Sequence, residues 1–168
     1  MELLFELQAK KKDVVFTPEH IAQDMVQFFN PTGKILDPCK GDGVFLKFLP
    51  PKTDWCEIRE GKDFYHYTQK VDWIISNPPY SDYSNWLSHS MKIAKNIVYL
   101  IPINKAFNSY KMLVDMNNWG GIKHIRVYAS GSNLKFPVGF AVGAVHFKKN
   151  YAGGIETTFW QDKLNLAI

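Results

Sequence analysis

Residues 71–80, VDWIISNPPY, constrain the fold of this chain more than any other stretch. The first six residues form an apolar run with β-branched side chains, which predicts a buried strand. The two prolines cannot extend that strand, because proline has no N–H and its φ is fixed near about −65°. Residues 77–80 are therefore predicted to form a stiff bend directly after a buried strand.

This bend would group two hydrogen-bond acceptors with one aromatic ring. The side-chain oxygen of Asn77 and the carbonyl of Pro78 can each accept one N–H of an amino group, while Tyr80 stacks on a planar ring that carries it. Accepting both hydrogens would draw the nitrogen toward a pyramidal, nucleophilic shape. The alternative is a plain turn, because Asn-Pro is a common turn dipeptide. The predicted catalytic residues are Asn77, Pro78, Pro79 and Tyr80.

A second motif, DPCKGDG at residues 37–43, follows a short strand predicted at residues 34–36. Gly41 and Gly43 would let the backbone pass close to a ligand, and Asp37 places an anion at the end of the strand. A dinucleotide loop would avoid an anion beside its pyrophosphate, and the Gly-Lys-Ser/Thr of a phosphate-binding P-loop is absent. The motif therefore favours a cationic ligand.

A predicted helix precedes this motif. Thr17 is a plausible N-cap with Pro18 at the first helical position. The free N–H groups of such a helix start can hold a carboxylate. An ordinary helix start, with Phe16 in the core, is the alternative.

The three segments FTPxxIA (16–22), DPxxGxG (37–43) and NPPY (77–80) resemble the motifs of the amino-methyltransferases that use S-adenosylmethionine. That group covers adenine-methylating DNA enzymes, some RNA enzymes and enzymes that methylate glutamine side chains. The resemblance implies S-adenosyl-L-methionine as cofactor. It also implies an α/β class I methyltransferase (Rossmann-like) fold, doubly wound, with a mostly parallel seven-stranded sheet and an antiparallel C-terminal hairpin. Asp37 and Asn77 would end the first and fourth strands, which flank the point where strand order reverses.

Further residues are predicted to contact the cofactor. In nucleoside-binding α/β folds an acidic residue at the end of the second strand, here residues 54–58, binds the ribose diol, with Glu57 first and Glu60 as its rival. The resemblance supports the next two. Asp63 would accept the adenine amine while Phe64 flanks the ring, and a turn or cap role is the alternative for Asp63. The predicted cofactor-binding residues are Phe16, Thr17, Asp37, Pro38, Gly41, Gly43, Glu57, Asp63, Phe64 and Asn77.

Substrate contacts are predicted in two loops. Residues 81–85 form a predicted mobile loop in which Tyr83 could meet the substrate base, and a surface tyrosine is the alternative. Residues 130–138 connect two strands (123–129 and 139–147) that must be antiparallel, because no helix fits between them. This loop resembles the family segment that helps hold the target base, although a plain hairpin loop is equally compatible. The predicted substrate-binding residues are Tyr80, Tyr83, Lys135 and Phe136.

Composition limits the partners and the compartment. A net charge of +4 is compatible with a polyanion such as DNA without establishing one, and only two of the twenty basic residues are arginines, the usual readers of guanine. Two cysteines, and five histidines without ligand spacing, predict neither a disulfide framework nor a metal site and fit a reducing cytoplasm. No apolar run approaches the roughly 20 residues that span a membrane.

We expect a single methyltransferase domain over residues 1–168 that methylates N6 of adenine in DNA, where the base leaves the stack if the substrate is a duplex. The chain has no region large enough for a separate target-recognition domain, so specificity would be low, lie in the loops or come from a partner. RNA is an alternative substrate. A glutamine methyltransferase usually carries an N-terminal helical domain, and only about 30 residues precede the first predicted strand here. A non-catalytic subunit that keeps the fold is the other alternative.

Overall fold

The computed structural model describes residues 16–130 and 140–160. The helix predicted at residues 1–12 lies outside this part of the chain. The described residues form three α-helices, α1 (Glu19–Phe29), α2 (Tyr83–Ile93) and α3 (Tyr110–Trp119), and seven strands, β1 (Ile35–Asp37), β2 (Asp54–Trp55), β3 (Val71–Ser76), β4 (Ala94–Pro102), β5 (Gly120–Ser130), β6 (Ala141–Lys149) and β7 (Glu156–Phe159).

The seven strands form one sheet in the order β2-β1-β3-β4-β6-β5-β7. Strands β2, β1, β3 and β4 pair in parallel, β6 pairs antiparallel with both β4 and β5, and β7 adds to β5 in parallel. The predicted fold class is confirmed, including the antiparallel pair. In the arrangement that the resemblance implies, the last strand is the one inserted antiparallel. Here the antiparallel strand is β6, and the last strand, β7, forms an edge.

Among the described residues, which begin at residue 16, the NPPY bend follows the third strand and not the fourth, since β1 and β2 precede β3. Strands β1 and β3 are direct neighbours, with Leu36 paired to Ile74. Their carboxyl ends lie at the same edge of the sheet, which places Asp37 next to the bend. We call this edge the carboxyl edge.

Helices cover both faces of the sheet, as expected for a doubly wound fold. Helix α1 packs one face through buried apolar residues such as Ile21 and Met25. Helices α2 and α3 pack the other face, with Leu87 and Met112 in the opposite core cluster. Strand β4 lies between the two clusters, and its residues 97–101 are fully buried.

Local predictions failed where tertiary contacts decide the structure. A helix is predicted at residues 44–49, but the structure has only a short 3-10 helix there, Phe45–Lys47. Helix α1 begins after Pro18, and Thr17 makes no capping bond. The predicted mobile loop at residues 81–85 is wrong, because a 3-10 helix (Tyr80–Asp82) leads directly into α2.

Strand β6 carries a buried histidine that the fold keeps neutral. His146 Nε2 donates to Asn96 Oδ1 over 3.0 Å, and its ring stacks on Trp73 with centroids 5.1 Å apart. Burial lowers the pKa of His146 to about 3, and the positive charges of Lys123 and Lys148 add to that effect. The unfolded chain therefore takes up this proton at a higher pH than the native protein does.

We predict that His146 makes the protein acid-sensitive. The stabilising contribution of neutral His146 is present above its unfolded pKa of about 6.5 and is lost as the pH falls toward 3, by up to about 1.4 kcal/mol per pH unit. Between pH 7.5 and 5, His146→Gln should lose less free energy of unfolding than the wild type, measured by urea titration. The exposed His66→Gln should behave like the wild type. Equal losses in His146→Gln and wild type would contradict this role.

Candidate active site

The NPPY bend is tied to the start of α1. Asn77 Nδ2 donates to Thr17 Oγ1 over 3.1 Å, and Asn77 is half-buried. Thr17 therefore contacts the predicted catalytic amide, and it lies one residue before the N-cap position of α1, which Pro18 occupies. In the same segment Phe16 is 57% exposed at the carboxyl edge. Pro78 is buried, and Pro79 and Tyr80 are half-buried beside it.

Asp37 is fully buried at the end of β1. Its Oδ1 accepts hydrogen bonds from Ser76 Oγ (2.7 Å) and from the backbone N–H of Cys39 (3.2 Å). Within residues 16–130 and 140–160, no group hydrogen-bonds to its Oδ2. Burial raises the pKa of Asp37 to about 7, against the lowering effect of these two bonds. A buried carboxyl oxygen without a donor is costly, and a cationic or N–H ligand group would satisfy it.

The glycine loop adjoins this carboxyl group. Gly41 and Gly43 have φ values of 54° and 83°, which side chains with a Cβ rarely adopt, and no described atom lies within 4 Å of where a Cβ would be. The loop borders a groove of about 730 Å³, within the usual range for small-molecule sites. The groove is lined by Lys40, Gly41, Asp42, Gly43, Leu46, Lys47, Arg59 and Glu60.

Glu57 holds the glycine loop in place. Its Oε2 accepts from the Gly41 N–H over 2.9 Å, and its Oε1 accepts from Arg59 Nε over 2.9 Å. Burial alone would raise the pKa of Glu57, but the hydrogen bonds from Arg59 and Gly41 lower it. The carboxylate is thus ionised and positioned by the fold, and its role toward a ribose stays a prediction. Its rival Glu60 pairs with Lys40, which also lies 4.0 Å over the Trp55 ring.

Three residues predicted to contact ligands have structural roles. Asp63 Oδ1 accepts from the Tyr65 N–H over 2.9 Å and so caps a 3-10 helix, and its role toward the adenine amine stays a prediction. Phe64 is 2% exposed, with its ring 4.7 Å from that of Trp86, so it offers no free face to an adenine. Tyr83 begins α2 and is 3% exposed, so it is a core residue and not a loop residue over a pocket.

The structure therefore brings together part of the predicted set. Hydrogen bonds connect Thr17 with Asn77, Asp37 with Ser76, and Gly41 with Glu57. Neither Asp37 nor Asn77 lines the groove, and Pro38 is buried. Lys135 and Phe136 lie outside the described residues.

Sequence analysis missed Ser76, which orients Asp37, and Arg59, which holds Glu57. A polar residue at the end of an otherwise apolar strand was the available signal for Ser76. The signal for Arg59 was weaker, because two residues from an acid is also a common surface spacing.

Within residues 16–130 and 140–160, no group of three or more His, Cys, Asp or Glu side chains is close enough to hold a metal ion. None of the helices in the described ranges has the length and apolar character needed to cross a membrane.

Solved structures share this architecture. A protein from Listeria monocytogenes, described as a class I S-adenosylmethionine-dependent methyltransferase, superposes with a TM-score of 0.66 at 14% identity, over 97% of this chain and 72% of that protein. The chain has the class I methyltransferase fold. Comparison with protein-family models gave no match, and comparison with curated proteins gave none either.

Two other solved structures with a similar fold are modification proteins of type I restriction enzymes. One, from Vibrio vulnificus, gives a TM-score of 0.64 at 14% identity over 98% of this chain and 52% of that one. The other, the EcoKI M protein, gives a TM-score of 0.59 at 14% identity over 80% of this chain and 44% of that one. The chain thus spans about half the length of these modification proteins.

We predict that Asp37 lowers stability at neutral pH. The folded pKa of Asp37, about 7, lies above the ordinary value of 3.8, so the fold favours the protonated carboxyl. The stability that this preference contributes is complete below pH 3.8 and is lost as the pH rises to 7. Asp37→Asn should remove this loss, which amounts to as much as about 1.4 kcal/mol per pH unit. Urea unfolding between pH 4.5 and 8 tests it, with the exposed Asp42→Asn as matched control. If the free energy of unfolding of Asp37→Asn changes with pH as that of the wild type does, the buried carboxyl is ionised throughout this range.

Proposed function

We propose that this protein transfers a methyl group from S-adenosyl-L-methionine to N6 of adenine in DNA. The main support is the position of the Asn77-Pro78-Pro79-Tyr80 bend, directly after β3 and beside Asp37 at the carboxyl edge. In doubly wound sheets, ligands bind outside the carboxyl ends of the strands where the strand order reverses. Strand β1 lies between β2 and β3, so the order reverses at this place.

The residues around Asp37 fit the cofactor. The unpaired Asp37 Oδ2 suits a cationic group, the open side of Gly41 and Gly43 admits a close ligand, and Glu57 is an ionised acceptor. S-adenosylmethionine supplies an electrophilic methyl group on a positively charged sulfur. Because Asp37 is closed to solvent and does not line the groove, binding requires the glycine loop to shift relative to β1.

The NPPY bend orients the adenine amine for methyl transfer. Asn77 Oδ1 and the Pro78 carbonyl accept the two N–H groups of the adenine amine, and Tyr80 stacks on the base. An adenine amine is unprotonated at pH 7, so no strong general base is needed to start the reaction. As the N–C bond forms the C–S bond breaks, the sulfur leaves as a neutral thioether, and the extra proton on the methylated nitrogen passes to solvent. Holding the nitrogen at about 3–3.5 Å from the methyl carbon supplies most of the catalysis.

DNA is the favoured substrate, and a partner is proposed to supply recognition. Two structural neighbours are modification proteins of type I restriction enzymes, and the net charge of +4 suits a polyanion. With two arginines in the chain, sequence readout by this protein alone would be limited.

The direct test supplies the protein with isotope-labelled cofactor and with DNA, RNA and protein pools, then identifies the methylated product by mass. We expect N6-methyladenine from DNA. Labelled methylcytosine, or label in glutamine alone, would refute the proposal. Label in RNA adenine alone would keep the chemistry and reject the substrate.

Asn77 and Asp37 should separate catalysis from cofactor binding. Asn77→Ala should lower kcat at least about 100-fold with little change in cofactor Kd, because it removes an interaction made with the reacting amine. Asp37→Ala should raise the cofactor Kd instead, since it removes the carboxyl group that meets the cation. Equilibrium binding and single-turnover methylation measure the two effects. Undiminished turnover in Asn77→Ala would overturn the mechanism.

Thr17 should act through Asn77. Thr17→Val keeps the shape but removes the oxygen that accepts from Asn77 Nδ2, so kcat should fall about tenfold while the cofactor Kd stays near the wild-type value. Thr17→Ser restores the oxygen and should restore kcat. If Thr17 instead serves the cofactor, as the sequence resemblance implies, Kd will rise and kcat will hold.

A further inference from the structure

The segment that follows β4 exposes aromatic side chains between lysines. Tyr110 is 84% exposed, the highest value among the large apolar side chains that the structure describes, and Phe107 is 43% exposed. Lys105 and Lys111 flank them, in the sequence KAFNSYK. We call residues 105–111 the aromatic turn.

The aromatic turn lies at the carboxyl edge. Strands β3 and β4 are parallel neighbours, so the chain leaves β4 at the same edge at which it leaves β3 for the NPPY bend. A 3-10 helix, Ile103–Ala106, follows β4 immediately and packs against β6 near Gly143. Phe140, which is 56% exposed, precedes β6 at this edge as well. Strands in a sheet are about 4.8 Å apart, so β4 lies one strand spacing from β3. It continues three residues past Tyr99, the partner of Ser76, and the aromatic turn begins within the 3-10 helix that follows.

Helix α3 does not depend on the exposed ring of Tyr110. Helix α3 is anchored by Met112 and Met116, which are buried against the sheet, and Ser109 Oγ caps it by accepting from the Met112 N–H over 3.3 Å. Tyr110 contributes to neither task. The ion pair of Lys111 with Asp115 is exposed on both sides and is therefore weak, so it leaves Lys111 available to a stronger anion.

Exposed aromatic rings flanked by lysines match the chemistry of a nucleic-acid strand. Bases stack on aromatic rings, at about 1–3 kcal/mol per base, and lysines neutralise the phosphates between them. A contiguous apolar patch would favour a protein partner. In the aromatic turn, polar Asn108 and Ser109 separate the two rings and a lysine lies at each end, which favours a polyanion with planar bases.

We propose that the aromatic turn binds the DNA strand that carries the target base, with Tyr110 and Phe107 stacking on nucleotides beside that base and Lys105 and Lys111 contacting their phosphates. The inference rests on the proposed function for the location of the target base. In this arrangement the aromatic turn holds the DNA strand, and the NPPY bend holds the adenine amine.

The test measures binding of a fluorescein-labelled single-stranded oligodeoxynucleotide without cofactor, by anisotropy. Tyr110→Ala and Phe107→Ala should each weaken binding about tenfold. Tyr110→Phe should retain binding and Tyr110→Leu should not, because stacking needs the ring and not the hydroxyl or mere apolar bulk. The exposed Phe159→Ala on β7 is the matched control and should bind like the wild type. Lys105→Ala should reduce the slope of log affinity against log salt by about 0.7.

The outcomes separate this inference from the proposed function. Wild-type affinity in both alanine variants, or loss of binding in Tyr110→Phe, would overturn the stacking role, and so would the absence of binding by the wild type. If Tyr110→Ala loses binding while the wild type makes no N6-methyladenine, the DNA surface stands and the proposed reaction fails. Thermal unfolding of Tyr110→Ala, whose ring is mostly in solvent, should match the wild type and so exclude misfolding.

Discussion

The parallel pairing of β1 with β3 and of β3 with β4 is the constraint on which the site depends. Parallel strands turn their carboxyl ends to one edge, and there the chain has no further ladder bonds to make. These strands are followed by the glycine loop, the NPPY bend and the aromatic turn, respectively. Their proximity therefore follows from the direction of three central strands. The antiparallel β6 adds its beginning, and not its end, to the same edge.

Asp37 shows that the fold is not optimised for stability at this edge. Ser76 and the Cys39 N–H satisfy one carboxyl oxygen, and the other lacks a donor among the described residues. Gly41 and Gly43 hold backbone angles that restrict the choice of residue, without any crowding to explain it. Strain and unsatisfied polar groups are retained where function uses them. The local costs of Asp37 and the glycine loop thus point to the same ligand position as the topology does.

The resemblance of three motifs to a known family implied the fold class, and strong local signals located individual elements. An apolar run ended by two prolines identifies β3 and its bend, and two alternating strands with no helix between them must pair antiparallel. Tyr83 and Thr17 show the limit of such signals. A polar neighbourhood suggested a loop around Tyr83, but packing of α2 buries it, and Thr17 contacts a residue 60 positions away instead of its own helix. Both depend on distant contacts that local patterns do not encode.

The acidic residues explain why the ligand contacts were harder to predict than the fold. A carboxylate that binds a ribose hydroxyl and one that caps a backbone N–H present the same atoms at the same places in a loop. Glu57 and Asp63 were both selected for ligand roles, and the structure shows both accepting from backbone N–H groups. Asp37 differs because one of its oxygens is left without such a donor. A ligand that donates to that oxygen would bind the native state and not the unfolded chain, so its affinity would add to the stability of the same loop that holds it.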